Sequence, residues 1–179
     1  MTDKTSAGVL LFRRTNGETI EVLLGHMGGP FFAKKDDGAW SIPKGEYEPE
    51  LEDARAAASR EFHEELGLFV PPGDWIPLGD VRYGSGRGKK TLTVWAVESD
   101  LDLTDMAPGT FEMEWPPRSG KQATFPEIDR AGWFDLTTAQ LKLGTGQRPY
   151  LERGGARKAP GGGRGGGGGG GGGFVLVGG

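Results

Sequence analysis

Glu61, Glu64 and Glu65 stand three and four positions apart in the run ARAAASREFHEELGL, residues 54–68. At ~100° per residue, these carboxylates fall within a sector of about 100° on one helix. Like charges at that spacing repel by a few tenths of a kcal/mol per pair, and the helix macrodipole disfavours them near a C-terminal end. A cation is therefore expected to offset the repulsion. Hard oxygen donors on a rigid helix suit Mg²⁺ or Mn²⁺, which keep waters and share their shell between a few carboxylates and substrate phosphates. Arg60, four residues before Glu64, is placed to pair with a carboxylate and fix its orientation. The competing reading is a solvated acidic face, which is what most charge runs are.

Positioning such a face requires a helix and something to pack it on. Ala54, Ala57, Ala58, Phe62 and Leu66 recur at helical spacing, so the run is expected to be amphipathic and to lie against a sheet, with Gly67 as its stop. Apolar or alternating runs at 8–13 and 20–26, joined by Thr15-Asn16-Gly17, read as a hairpin. Two further strands are expected at 76–83 and 91–98, with short helices at 137–143 and 147–153. That order predicts an α/β protein with a mixed sheet and helices on its faces.

Glu52 followed by Arg60-Glu61-Phe62-His63-Glu64-Glu65-Leu66-Gly67-Leu68 resembles the Nudix box: G, five residues, E, seven residues, then REUxEExGU with U bulky and apolar. Every fixed position from Glu52 onward is met. Upstream, six residues rather than five separate Gly45 from Glu52, and Glu46 stands where the family glycine is expected. This reads as a one-residue insertion within 46–51. The resemblance continues in the opening strand Ser6-Ala7-Gly8-Val9-Leu10-Leu11-Phe12, in Trp40-Ser41-Ile42-Pro43-Lys44-Gly45, and in Pro126-Glu127 with Trp133-Phe134. It covers residues 5–153. The Trp-x-x-Pro-Lys-Gly stretch is similar to the branch containing asymmetric dinucleoside tetraphosphate hydrolases, although other branches share it.

The resemblance implies a Nudix-type α/β/α sandwich and metal-dependent hydrolysis of a nucleoside diphosphate linked to another moiety. A dinucleoside polyphosphate or related nucleotide is the favoured substrate. Glu61, Glu64 and Glu65 would hold Mg²⁺ or Mn²⁺, with Glu64, Glu65 and Arg60 in the catalytic group. Glu52 would either cap the helix or pair with Arg60. Family members often recruit a further Glu from outside the box. Glu112, Glu114 and Glu127 are the candidates by position, Glu127 being the one chosen, against a bland reading as a loop carboxylate. Lys34, Lys35, Lys44, Arg118 and Lys121 are candidate phosphate contacts, of which Lys44, Lys35 and Arg118 are preferred. Tyr83, Phe111 and Trp115 are candidates for stacking on a base, whereas Trp40 and Trp133 read as core. His26 and His63 lack the spacing of a metal pair and read as structural or exposed.

The rest of the chain bounds these expectations. A Nudix-like domain at 1–153 leaves a glycine-dominated tail at 154–179, read as a disordered, inert or artefactual segment, with a linker or strand-addition peptide as the alternative. A net charge of -4 argues against general nucleic-acid binding, and the absence of cysteine excludes disulfides and thiolate chemistry. No apolar stretch is long enough to span a bilayer and the first residues lack a signal-peptide core, so the cytoplasm is expected; the oligomeric state is left open. The glycine- and lysine-rich stretch at 84–91 fails the Walker A register and precedes a strand-like run, so it reads as a hairpin whose Arg87, Lys89 and Lys90 lie within reach of a substrate phosphate. A nucleotide-sensing module that does not cleave is the alternative function. Its sign would be loss of box carboxylates, and none is lost.

Overall fold

The unbroken apolar run Ala7 to Phe12 can be buried only if both faces of its strand are covered. In the computed structural model, which describes residues 4–16, 18–84 and 88–154, this run lies within β1 (Lys4–Thr15), at the centre of a mixed sheet. β2 (Thr19–Met27) pairs antiparallel with its second half, with Thr15 opposite Thr19 across the hairpin. Asn16 takes φ +49 at the turn, a conformation Asn tolerates better than most residues; Gly17 lies outside the described residues. On the other side β6 (Lys90–Glu98) runs parallel to β1, and β5 (Trp75–Tyr83) pairs antiparallel with β6. The first half of β1 also pairs with β4 (Lys44–Glu46). β2 carries both the short β3 (Trp40–Ser41) and β9 (Ile128–Asp135).

Alternation along β1 divides the interior into two layers. Ala7, Val9 and Leu11 pack with Ala57, Ala58, Phe62 and Leu66 of α1 (Ala54–Leu66). Leu10 and Phe12 point the other way, joining Ala139 of α2 (Leu136–Lys142) and Tyr150 and Leu151 of α3 (Pro149–Gly154). The result is the expected α/β/α sandwich. Truncating a fully buried leucine such as Leu10 to alanine would cost about 2–5 kcal/mol, so the two layers hold the strand firmly.

α1 begins at Asp53, whose carboxylate accepts the Ala56 N–H at 2.9 Å, and ends at Gly67, which takes φ +70 and donates to the His63 carbonyl at 2.7 Å. Asp53, and not Glu52, is therefore the cap. The extra residue upstream is absorbed in a turn where the N–H groups of Leu51 and Glu52 both donate to the Glu48 carbonyl, at 2.9 and 3.0 Å. Leu51 is pushed into solvent, 85% exposed, and the helix register is undisturbed.

One element was not foreseen from the sequence. β7 (Thr110–Glu114) and β8 (Gln122–Pro126) form a separate antiparallel hairpin. Each strand is five residues long and buries only part of one face, so its alternation is too brief to stand out. The 84–91 stretch leads into β6 at Lys90 and not into a helix; residues 85–87, including Arg87, lie outside the described residues. So does the tail beyond 154. No helix among the described residues is long and apolar enough to cross a membrane.

Candidate active site

One guanidinium organises the acidic face of α1. Arg60 donates through Nε and Nη2 to both oxygens of Glu52, at 2.9 and 2.8 Å, and through Nη1 to Oε1 of Glu61 and of Glu64, at 2.8 and 3.1 Å. Three carboxylates are thereby oriented by a planar fork that cannot lose its charge. The Arg60 hydrogen bond holds Glu52 below the usual carboxylate range. Glu61 goes the other way: burial raises it, Arg60 opposes, and Glu64 and Glu127 add to the rise. Burial pushes Glu65 up to about 8, against the charge of Lys44 and a 3.1 Å hydrogen bond that its Oε2 accepts from the Lys44 N–H. That bond ties the helix to β4, where a Cβ at Gly45 would overlap the Glu61 carboxylate. Only glycine leaves Glu61 its place.

A fourth carboxylate arrives from the far end of the chain. Gly109 donates to the Glu64 carbonyl at 2.9 Å, Glu127 donates to the Gly109 carbonyl at 2.8 Å, and Gly28 donates to the Glu127 carbonyl at 3.0 Å. This backbone relay also satisfies a carbonyl in the last turn of α1 that the helix itself leaves open. Burial and the nearby Glu64 raise the carboxyl of Glu127 above its ordinary value. Glu112 and Glu114 lie elsewhere: they alternate outward along β7, and Glu114 accepts the Gly120 N–H at 3.0 Å to close the hairpin turn.

Glu61, Glu64, Glu65 and Glu127 line one cavity of about 650 Å³, and Lys44 and Lys90 line it too. Neither lysine makes a salt bridge among the described residues. An apolar part of the lining is formed by Phe31 and Phe32 of the loop after β2 and by Phe111 and Met113 of β7. The edge of Phe31 meets Trp115 with ring centroids 5.5 Å apart, bridging loop and hairpin. Of the other residues singled out, Lys35 lies outside the lining, its ammonium 5.7 Å from the Phe32 ring. Arg118 sits with φ +62 in the exposed β7–β8 turn, and Lys34 and Lys121 are exposed. Tyr83 packs on Gly146 within the opposite core layer. His26 is buried, with Nδ1 2.7 Å from Asp129 and Nε2 donating to the Lys35 carbonyl at 2.7 Å, a clamp between strands and loop.

The loop 28–32 and Met113 were not singled out in advance. Their signal was Gly28-Gly29-Pro30-Phe31-Phe32, two aromatic residues set on a turn that cannot bury both. Phe31 is 58% exposed.

A divalent cation fits this donor set in one particular way. Among the described residues no three His, Asp or Glu side chains form a ready-made cage. Burial nevertheless raises Glu61, Glu65 and Glu127 above the ordinary carboxylate range, with neighbouring carboxylates adding to the rise. Oε1 of Glu61 and of Glu64 is engaged by Arg60, leaving each Oε2 without an Arg60 bond. Such an open, all-oxygen set suits a hard cation that retains waters and takes its remaining ligands from a phosphate. The arrangement can hold charge on one side of a phosphate chain and present a carboxylate to water beside it.

These features coincide with what comparison finds. A family model described as NUDIX domain matches residues 2–154, and the chain belongs to the Nudix family, hydrolases that act on phosphoanhydride bonds and generally require a divalent metal. No curated protein matches the chain significantly. Among solved structures it is similar to an Ap4A hydrolase of C. elegans in a binary complex, at 21% identity and TM-score 0.53 over 79% of this chain and 86% of that one. It is also similar to a MutT protein of Methanosarcina mazei Go1, at 20% and 0.55 over 84% and 91%. A third is the Nudix hydrolase RenU of M. smegmatis, at 21% and 0.52 over 86% and 84%. At such identities the likeness is one of fold.

Proposed function

We propose that this chain hydrolyses a nucleoside diphosphate linked to another moiety, most favourably a dinucleoside polyphosphate or a related nucleotide, with Mg²⁺ or Mn²⁺. The observation that carries this reading is the convergence, on one cavity partly lined by aromatic residues, of five carboxylates (Glu46, Glu61, Glu64, Glu65 and Glu127) and two lysines that make no salt bridge among the described residues. Polyphosphate needs the charged side and a base needs the other.

Glu61, Glu64 and Glu65 would hold the metal. Held there, a divalent cation would supply positive charge to offset the phosphate oxygens and to ease deprotonation of the attacking water. The chain's own groups do the rest. Lys44 and Lys90 draw the phosphate chain against the acidic face, and Arg60 keeps Glu61 and Glu64 aimed at it. Glu127 or Glu64 takes the proton as the water oxygen bonds to phosphorus, and the bridging P–O bond breaks with its electron pair leaving on the departing phosphate. Phe111 and Phe31 would hold the base and exclude water from that side. The unit that acts is residues 1–153, in the cytoplasm, on a small molecule; the segment 154–179 takes no part, so a chain ending at 153 would keep full activity.

The test is a panel of diadenosine polyphosphates, ADP-ribose, nucleoside triphosphates and inositol pyrophosphates with Mg²⁺ and Mn²⁺, the products separated by chromatography. Metal-dependent cleavage of one nucleotide class is expected. Tight nucleotide binding without cleavage of any of them would replace hydrolysis with sensing.

A further inference from the structure

A second cleft of about 440 Å³ lies next to the first, and the two share Glu64 and Glu127 in their lining. It falls within the usual size range of small-molecule sites, about 300–1,000 Å³. Its lining includes Gly67, Ala107 and Gly109, and the last two are tied to α1 where they donate to the Leu66 and Glu64 carbonyls at 2.8 and 2.9 Å. Its side is His63, whose ring stacks on Phe69 with centroids 4.1 Å apart and planes 16° from parallel. Phe69 is 75% exposed and backs the lining residue His63 without itself lining the cleft. His63 precedes Glu64 on the same helix, so this two-ring stack is indexed to the carboxylates by rigid backbone.

The two clefts differ in charge. The first carries Lys44 and Lys90, whereas no Lys or Arg among the described residues lines the second. A phosphate or inositol phosphate would meet only Glu64 and Glu127 there, with nothing to balance it. An uncharged, planar group meets small residues, Gly67, Ala107 and Gly109, and the ring of His63 backed by Phe69.

We propose that the cleft beside His63 receives the second nucleoside of a two-ended substrate whose phosphate chain stays in the first cavity with Lys44 and Lys90. This deepens the hydrolytic reading and rests on it. The second nucleoside then lies beside the C-terminal end of α1, and the loop 28–32 with Phe111 and Met113 of β7 holds the first.

The test measures binding by calorimetry with Mg²⁺ present, using methylene-bridged diadenosine tetraphosphate and the matching one-ended adenosine tetraphosphate analogue, on the whole protein. The proposal requires the two-ended ligand to bind about tenfold more tightly, as stacking of one further base would give. Phe69→Ala should erase that difference without changing the one-ended affinity more than twofold, and Phe69→Tyr should retain it. Equal affinities in the parent protein, or equal losses for both ligands in Phe69→Ala, would overturn the second site while leaving hydrolysis in place if turnover persists. Failure to bind either ligand, with no turnover on the nucleotide panel, would instead remove the functional reading and this site with it.

Discussion

The two walls of the main cavity are made in opposite ways. The acidic wall stands on α1, with Arg60 fixing three carboxylates and backbone hydrogen bonds from Lys44 and Gly109 tying the helix to its neighbours. The aromatic wall stands on a loop and a five-residue hairpin, joined by a contact between Phe31 and Trp115. Chemistry tolerates little displacement, because a misplaced ligand or base loses its transition-state contacts. Recognition of a flat base tolerates more, because every base has an apolar face. The contrast separates what is done from what it is done to.

The sharpest way to break this contrast is on the acidic side. Glu64→Gln and Glu65→Gln are each expected to lower kcat by about a hundredfold or more with Mg²⁺, while the melting temperature holds or, for Glu65→Gln, rises, since a buried carboxylate is replaced by a neutral group. Steady-state kinetics and thermal denaturation check both halves; full activity in either variant would remove that residue from the mechanism. Next comes the relay that positions Glu127. A Cβ at Gly109 would lie 2.8 Å from the Glu64 carbonyl, so Gly109→Ala should displace the 107–109 segment, destabilise by about 1–3 kcal/mol and lower kcat by about tenfold. Urea melts with parallel kinetics would show whether the two losses travel together.

On the aromatic side the expected effect is smaller and of another kind. Phe111→Ala should raise KM about fivefold and leave kcat within about twofold. A matching fall in kcat would mean that the aromatic wall also positions the reacting phosphate. A further effect is one of pH. In metal-free protein, folded Glu65 keeps its proton up to about 8, whereas the unfolded chain releases it near the ordinary value of 4.5. The folded state thus binds more protons across that window, and its stability falls as pH rises through it. Glu61 and Glu127 shift in the same direction. Melting curves in chelator from pH 5.5 to 8.5 should decline, and the stabilisation added by Mg²⁺ should grow over the same interval as the ligands become free of protons.

What could be read in advance follows the same division. The α1 carboxylates, Arg60 and the helix stop at Gly67 were legible because helical spacing alone places them, and β1 because its apolar run is continuous. The β7–β8 hairpin was not, because five-residue strands with half a buried face carry too few residues to establish a period. Glu127 was named alongside Glu112 and Glu114, and nothing in their spacing separates the three. What separates them is pairing between distant segments: β9 on β2, and Gly109 on the end of α1. Lys35, Tyr83 and Arg118 show the converse limit. Their side-chain types suit a phosphate or a base, but the chain turns them away from the cavity.

The pairing of β9 with β2 also sets an order in time. A chain emerging from the ribosome can form the β1–β2 hairpin and α1, with Arg60 already serving the three carboxylates as counter-ion, long before residue 127 exists. Glu127 reaches the cavity only when the last strand closes against the second, one of the longest loops the fold must shut. On the proposed mechanism, half-made protein would carry the acidic helix without Glu127, and competence would arrive with the final segment of the domain.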